Sequence, residues 1–210
     1  MSKDQAPPGA HTRIQLRDSE TESWWKNGVI YQIYPRSFQD HNKDGIGDIR
    51  GIEARMEYLK TLGVSAIWVS PFFKSPMKDF GYDVEDHRAI DPLFGSMEDF
   101  DSLIEKAHAH GIRVMIDLVL SHTADVHPWF VAARQSKNSA WDDCYVWADP
   151  KENGEPPNNW LSVFGGPSWT YEPQRGQYYL HNFLSSQPDL NFHSPKVQAE
   201  ALAIAKWWLD

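Results

Sequence analysis

The sequence predicts an α/β protein built on a parallel sheet, and three observations carry that prediction. Segments 29–34, 64–70 and 112–120 are rich in β-branched and aromatic residues with continuous rather than alternating hydrophobicity, as strands covered on both faces are. Helical periods separate them. No tight hairpin turn joins one segment to the next, so repeated β-α units with right-handed crossovers are expected. On this pattern alone an open doubly wound sheet and a barrel both fit.

The elements follow in order. "VIYQIY" from Val29 reads as a buried strand closed by Pro35, and a Gly-rich acidic loop comes next. "GIEARMEYLKTLG" carries Ile52, Met56, Leu59 and Leu62 at helical spacing and stops at Gly63, where a C-terminal glycine belongs. "VSAIWVS" is the second strand, ended by Pro71. After a long loop, Ser96 caps a helix running to His110 and stopped by Gly111, and "IRVMIDLVL" is the third strand.

Residues 123–190 break this rhythm. They are rich in Trp, Pro, Gly, Asn and Asp, with one short helical piece near 129–136 and short strand candidates such as "QYYLHNF". An irregular insertion of that length after a strand is expected to be functional. From Pro195 the apolar residues Val197, Ala201, Ile204, Ala205, Trp208 and Leu209 form the stripe of an amphipathic helix. No helix-stop signal follows Trp208, so the sequence reads as cut inside or just after this helix.

Composition narrows the function classes. The 210 residues are 41% hydrophobic and 23% charged with a formal net charge of -9, which suits a globular protein and argues against a nucleic-acid partner. A single cysteine, Cys144, excludes an internal disulfide and a cysteine-based zinc site. Residues 1–20 are polar and lack the apolar run of a signal peptide or membrane span, so a loose tail on a cytoplasmic protein is expected. Ten Trp, eight Tyr and ten Phe suit a core, and equally the flat faces of sugar rings.

Three motifs carry candidate chemistry. In "DHNKDGIGD", oxygen side chains recur at Asp40, Asn42, Asp44 and Asp48, with Ile46 offering a carbonyl, a spacing that suits Ca²⁺ or Mg²⁺. It departs from an EF-hand because Gly51 stands where the bidentate Glu would be. The alternative is an Asp/Asn/Gly turn capping the next helix. In "KDFGYDVEDHRAIDPLFG", Asp79 and Asp83 flank Tyr82 after the second strand, at the sheet edge where parallel α/β proteins place ligands. "DLVLSHT" puts Asp117 and His122 at the same edge after the third strand.

Taken together, "GVIYQIYPRSFQD", "GIGDIRGI", "GVSAIWVSPFFKSPMKDFGYDV", "DPLFGSMEDFDSLIEKAHAHGIRVMIDLVLSHT" and "QPDLN" resemble the α-amylase clan, glycoside hydrolase family 13, most closely its oligo-1,6-glucosidase and α-glucosidase subfamily. The resemblance runs from Trp24 to Asp210. It implies an α/β fold that is the N-terminal part of a (β/α)8 TIM barrel, about three β/α units. Residues 24–122 would begin the barrel, 123–190 would be the inserted B domain after strand three, and 191–210 would start the returning helix. Residues 1–23 would be a flexible tail.

Roles are implied position by position. Asp79 and Tyr82 would bond to and stack on the terminal glucose, His122 would contact a hydroxyl of that sugar, and Phe164, Phe183 and Gln187 would complete the pocket. Asp40, Asn42, Asp44, Ile46 and Asp48 match the family's divalent-cation loop, and no organic cofactor is expected. Ser121 departs from the more usual Asn before the histidine, which favours an exo-acting glucosidase over an endo-acting amylase.

Retaining hydrolysis needs two carboxylates about 5 to 5.5 Å apart. By the resemblance all three catalytic carboxylates would lie beyond Asp210, leaving Trp207 and Trp208 to face absent neighbours and the 210 residues without hydrolase activity. The implied substrate is an α-glucoside oligosaccharide, with no nucleic acid and no membrane partner. Alternatives are a catalytically inactive amylase-like partner protein, a trehalose-6-phosphate hydrolase, or a glucosyl-transferring or isomerising enzyme.

Overall fold

The computed structural model describes residues 23–210; the expected tail lies, but for Ser23, outside the described residues. A short helix α1 (Trp24–Asn27) precedes strand β1 (Ile30–Ile33), and a single helical turn α2 (Pro35–Phe38) follows it. Pro35 ends the strand and starts the turn, since its fixed φ suits a first helical position. The next helix is split into α3 (Ile49–Ala54) and α4 (Met56–Leu62) at Arg55, where one continuous helix was expected. Ile49, Ile52, Met56 and Leu59 are nevertheless all fully buried, so the helical period survives the break. Gly63 closes α4 in the left-handed conformation.

Strand β2 (Ala66–Val69) leads into β3 (Phe73–Lys74), which pairs antiparallel with β4 (Asp86–Ile90). This small ribbon is absent from the sequence reading: "DHRAI" has no apolar alternation, and its partner is only two residues long. Helix α5 (Met97–Ala109) begins at Ser96 with a reciprocal capping box to Asp99, as the sequence predicts to within a residue. Strand β5 (Arg113–Ile116) is shorter than expected; residues 117–120 continue outside any strand.

The main sheet has the order β1-β2-β5, all parallel, in a register that pairs Ile33 with Val69 and Val69 with Ile116. Its core gathers Ile33, Ile67, Val69, Phe72, Phe73, Phe94 and Phe100 against Ile52, Met56, Leu59 and Leu103 of the helices. The three carboxyl ends of the parallel strands lie side by side, which brings the loops after them together.

Residues 123–190 form helix α6 (Pro128–Gln135), a 3-10 turn at Asp142–Cys144, and strands β6 (Trp147–Ala148), β7 (Trp169–Glu172) and β8 (Gln177–Leu180). These strands make an antiparallel sheet of order β6-β8-β7. A second core of Phe130, Cys144, Tyr145, Tyr179, Leu190 and Val197 fills it. Arg175 is its staple: buried, it donates to the Ala133 and Ser136 carbonyls at 2.6 and 3.0 Å, pairs with Asp142, and lies over the Trp147 ring.

Helix α7 (Pro195–Leu209) joins both cores, with Val197 in the second and Trp208 packed on the first. This corrects one expectation. Trp208 does not face absent neighbours: its ring lies 5.2 to 5.8 Å from Phe72, Phe73 and Phe100, and its Nε1 donates to the His87 carbonyl at 2.7 Å. Trp207 is half-exposed, and Leu209 is 85% exposed. At about 100° per residue Leu209 lies about 120° around the helix from Val197, outside the stripe assigned to it.

Candidate functional site

Asp83 organises the loop after β2. It is fully buried, accepting from Ser75 Oγ at 3.0 Å and from the backbone amides of Lys78 and Asp79 at 2.9 Å each. The sequence had paired it with Asp79 at the ligand edge; the structure turns it inward as a structural acceptor. Gly81, at φ +103°, passes so close to Pro71 that an added Cβ would lie 2.8 Å from the Pro71 oxygen. That tight turn leaves Asp79 and Tyr82 half-buried on the outer side.

Gln187 then links three distant segments. Fully buried, it donates from Nε2 to Asp79 Oδ2 at 2.8 Å and accepts at Oε1 from the Leu184 amide at 2.9 Å, which fixes which end of the amide is which. Its Nε2 also lies 3.1 Å from His122 Nε2. That ring nitrogen is 2.9 Å from the Tyr82 carbonyl, which can only accept. Neutral His122 therefore carries its proton on Nε2, and its Nδ1 accepts from the Ser121 hydroxyl at 2.9 Å. The Gln187–His122 approach is then a meeting of two donors. Gln187 has no exposed surface, so its amide holds Asp79 and the Leu184 backbone in place and does not itself reach a ligand.

Burial favours the neutral form of His122, lowering its pKa against the opposing pull of the Tyr82 carbonyl and the Asp79 and Asp83 charges. Tyr82 donates its hydroxyl to Asp117 at 3.1 Å, and burial, with that carboxylate beside it, pushes the phenol up to about 12. The Tyr82 hydroxyl is therefore a donor at neutral pH, and its ring is available as a flat apolar face.

An aromatic wall stands beside this polar cluster. The Phe183 ring centroid is 5.2 Å from His122 and 5.7 Å from Phe164, which is 58% exposed. The structure thus brings Asp79, Tyr82, His122, Phe164, Phe183 and Gln187 into one connected group. Beyond Phe164 and Phe183 lies a cavity of about 360 Å³.

The acidic loop after β1 sits apart from this group. Asp40 accepts from the Lys43 and Gly45 amides at 2.6 and 2.8 Å, Asn42 Oδ1 from the Asp44 amide at 2.9 Å, and Asp44 from the Ile46 amide at 2.8 Å. Asp48 accepts from His41 and Asn42 and caps α3 through the Gly51 amide at 2.6 Å, so the capping alternative is realised at this residue. Gly51 is required there, since an added Cβ would lie 1.8 Å from the Gln39 oxygen. Among the described residues no three His, Cys, Asp or Glu side chains converge as metal ligands. The donor set is nonetheless all oxygen, each with lone pairs beyond those used by the amides, and so fits a hard cation chemically.

Two residues of the site escaped the sequence reading. Asp189, within "QPDLN", is buried and accepts from the Asn182 amide at 3.2 Å and from the Asn182 side chain; burial raises its carboxyl to about 6. Ser162 bonds to both phenylalanine segments. The motif "QPDLN" itself was the available signal for the first; a serine in a Gly-rich loop gives none for the second.

Comparison with known proteins gives the family and the fold. Residues 32–210 match the family model described as "Alpha amylase, catalytic domain". A "Probable alpha-glucosidase" of Rhizobium meliloti (strain 1021) is 63% identical over 89% of this chain, and an "Oligo-1,6-glucosidase" of Heyndrickxia coagulans is 54% identical over 89%. The chain spans 34% of the length of each. The crystal structure of the alpha-glucosyl transfer enzyme XgtA superposes with a TM-score of 0.88 at 62% identity, over 89% of this chain and 35% of that one. The parallel sheet β1-β2-β5 is accordingly a part of a (β/α)8 barrel, and the chain belongs to the α-amylase catalytic-domain family of glycoside hydrolases, family 13.

Proposed function

We propose that residues 24–210 form the glucose-recognition part of an α-glucosidase that removes terminal α-linked glucose from short oligosaccharides with retention of configuration. The observation that carries this reading is the Gln187 side chain bonded to Asp79 beside His122, with Tyr82 and Phe183 at its flanks. Asp79 accepts from sugar hydroxyls, Gln187 holds that carboxylate from behind, and the Tyr82, Phe164 and Phe183 rings take the apolar faces of the pyranose. In this reading the group takes one terminal sugar, which suits exo cleavage.

The nucleophile, general acid and stabilising carboxylate of the retaining reaction lie, in this reading, outside these residues. Residues 24–122 and 191–210 serve the barrel, and 123–190 are its inserted B domain. Ca²⁺ or Mg²⁺, held by Asp40, Asn42, Asp44, Asp48 and the Ile46 carbonyl, would cross-link the loop that seats α3 on α2 and take no part in the chemistry. The protein works in the cytoplasm on a small sugar: its one cysteine is buried and needs no oxidising compartment, and among the described residues no helix is long and apolar enough to cross a membrane.

The test is a graft. Residues 24–210 replace the matching third of the Rhizobium meliloti relative, and glucose release from α-1,4- and α-1,6-linked disaccharides is measured. An active graft that loses at least about 100-fold in kcat/KM on Asp79→Ala supports the reading. A folded graft whose rate is indifferent to that substitution refutes it. The 210-residue chain by itself is expected to release no glucose from an aryl α-glucoside.

A further inference from the structure

We propose that Ser162 is a positioning residue: its hydroxyl sets the spacing of the Phe164–Phe183 wall and, through the two rings, the fit of the sugar. This rests on the reading above, in which both rings face the glucose.

Ser162 is an anomaly in its loop. Trp160, Leu161, Val163 and Phe164 around it are 58 to 73% exposed, yet Ser162 is 7% exposed. A serine withdrawn from water amid exposed apolar neighbours requires partners, and it has two. Its Oγ accepts from the Phe164 amide at 3.2 Å and donates to the Phe183 carbonyl at 2.7 Å. The one hydroxyl proton is thereby committed to Phe183, and a single relay runs from the Phe164 backbone to the Phe183 backbone.

The two sides of the wall are held unequally. Segment 182–184 is fixed from below by Asp189 at Asn182 and by Gln187 at Leu184. The Phe164 side is a tight turn closed on itself by the Ser162 amide to the Gly166 carbonyl at 2.9 Å and the Gly165 amide to the Ser162 carbonyl at 3.0 Å, and it is tied to segment 182–184 by the Ser162 hydroxyl and by the Val163 amide to the Asn182 carbonyl at 2.8 Å. Beyond the rings, the cavity of about 360 Å³ gives an untied ring somewhere to swing. Removing the hydroxyl leaves the Phe183 carbonyl to His181 Nδ1 at 3.0 Å and the Phe164 amide to water, so the fold survives while the side-chain link that sets the 5.7 Å ring spacing is lost. Ser162 directs both of its hydrogen bonds to backbone and acts on the sugar only through the rings.

The experiment uses the graft described above with maltose as the substrate, KM and kcat being read separately from initial rates of glucose release up to about 50 mM sugar. Ser162→Ala is expected to raise KM about fivefold. Ser162→Thr, which keeps the hydroxyl, is expected to stay within about twofold of the parent, and Phe183→Ala to have the highest KM. Ser162→Ala with the KM of the parent while that of Phe183→Ala is raised overturns the proposal and spares the reading beneath it. Ser162→Thr with a KM as high as that of Ser162→Ala also overturns it, because the hydroxyl is then not the determinant. A graft whose KM for maltose is the same in the parent, Asp79→Ala and Phe183→Ala overturns the reading itself and the proposal with it.

Discussion

Replacing Gln187 by glutamate puts a carboxylate oxygen where an amide nitrogen now donates to Asp79 Oδ2 at 2.8 Å. Two unit charges at that distance repel by about 6 kcal/mol at an effective dielectric constant of about 20. Protonating a carboxyl of ordinary pKa costs less: about 4 kcal/mol at pH 7 and about 1 kcal/mol at pH 5. The introduced group therefore takes up a proton on folding, and as a neutral acid it donates to Asp79 as the amide did. Its folded pKa is raised above the unfolded value, so the folded state binds the extra proton and stability falls as pH rises from about 4 towards that folded value.

Gln187→Glu is thus expected to be destabilised by about 4 kcal/mol at pH 7 and by about 1 kcal/mol at pH 5, each against the parent at the same pH. Urea unfolding followed by tryptophan fluorescence at both pH values measures this, and groups shared with the parent cancel. Gln187→Leu is the control: it leaves the Leu184 amide without its acceptor and costs about 1–3 kcal/mol with little dependence on pH. If Gln187→Glu shows the same deficit at pH 5 and pH 7, the Asp79–Gln187 contact is not the direct one described and the site geometry fails with it.

Burial, followed by the neighbouring His87, depresses His127 to about 3, so the unfolded chain protonates below about 6.5 while the folded one resists. Stability from this group is full above that pH and is lost as pH falls towards 3. His127→Asn keeps an acceptor for the Trp129 amide, and the loss of stability between pH 7 and pH 5 should shrink by about 2 kcal/mol in urea titrations. Trp208→Ala removes a ring packed on three phenylalanines and should cost about 3–5 kcal/mol, lowering Tm by about 10 °C in calorimetry. Millimolar Ca²⁺ or Mg²⁺ should raise the Tm of the parent and not of Asp40→Ala; equal melting of the parent with and without chelator would remove the cation from the account.

The period of apolar residues, the proline and glycine stops and the capping box at Ser96 are local. They announced β1, β2, α5 and the parallel arrangement without any knowledge of packing, because each depends on residues a few positions apart. Family motifs announced Asp79, Tyr82, His122 and Gln187. What tertiary structure alone decided is which of two like residues faces the pocket. Asp79 and Asp83 are four apart in one acidic loop, and only the backbone turn at Gly81 sends Asp83 inward to three donors while Asp79 meets Gln187, 108 residues away. Trp208 likewise carried an unreadable fate: whether a tryptophan near the end of a helix is stranded or buried depends on three phenylalanines from other elements. The antiparallel ribbon of β3 and β4 and the Ser162 relay were hidden for the same reason. Hydrogen bonds between segments far apart in sequence leave no periodic trace in either one, whereas helices and covered strands write theirs into every turn.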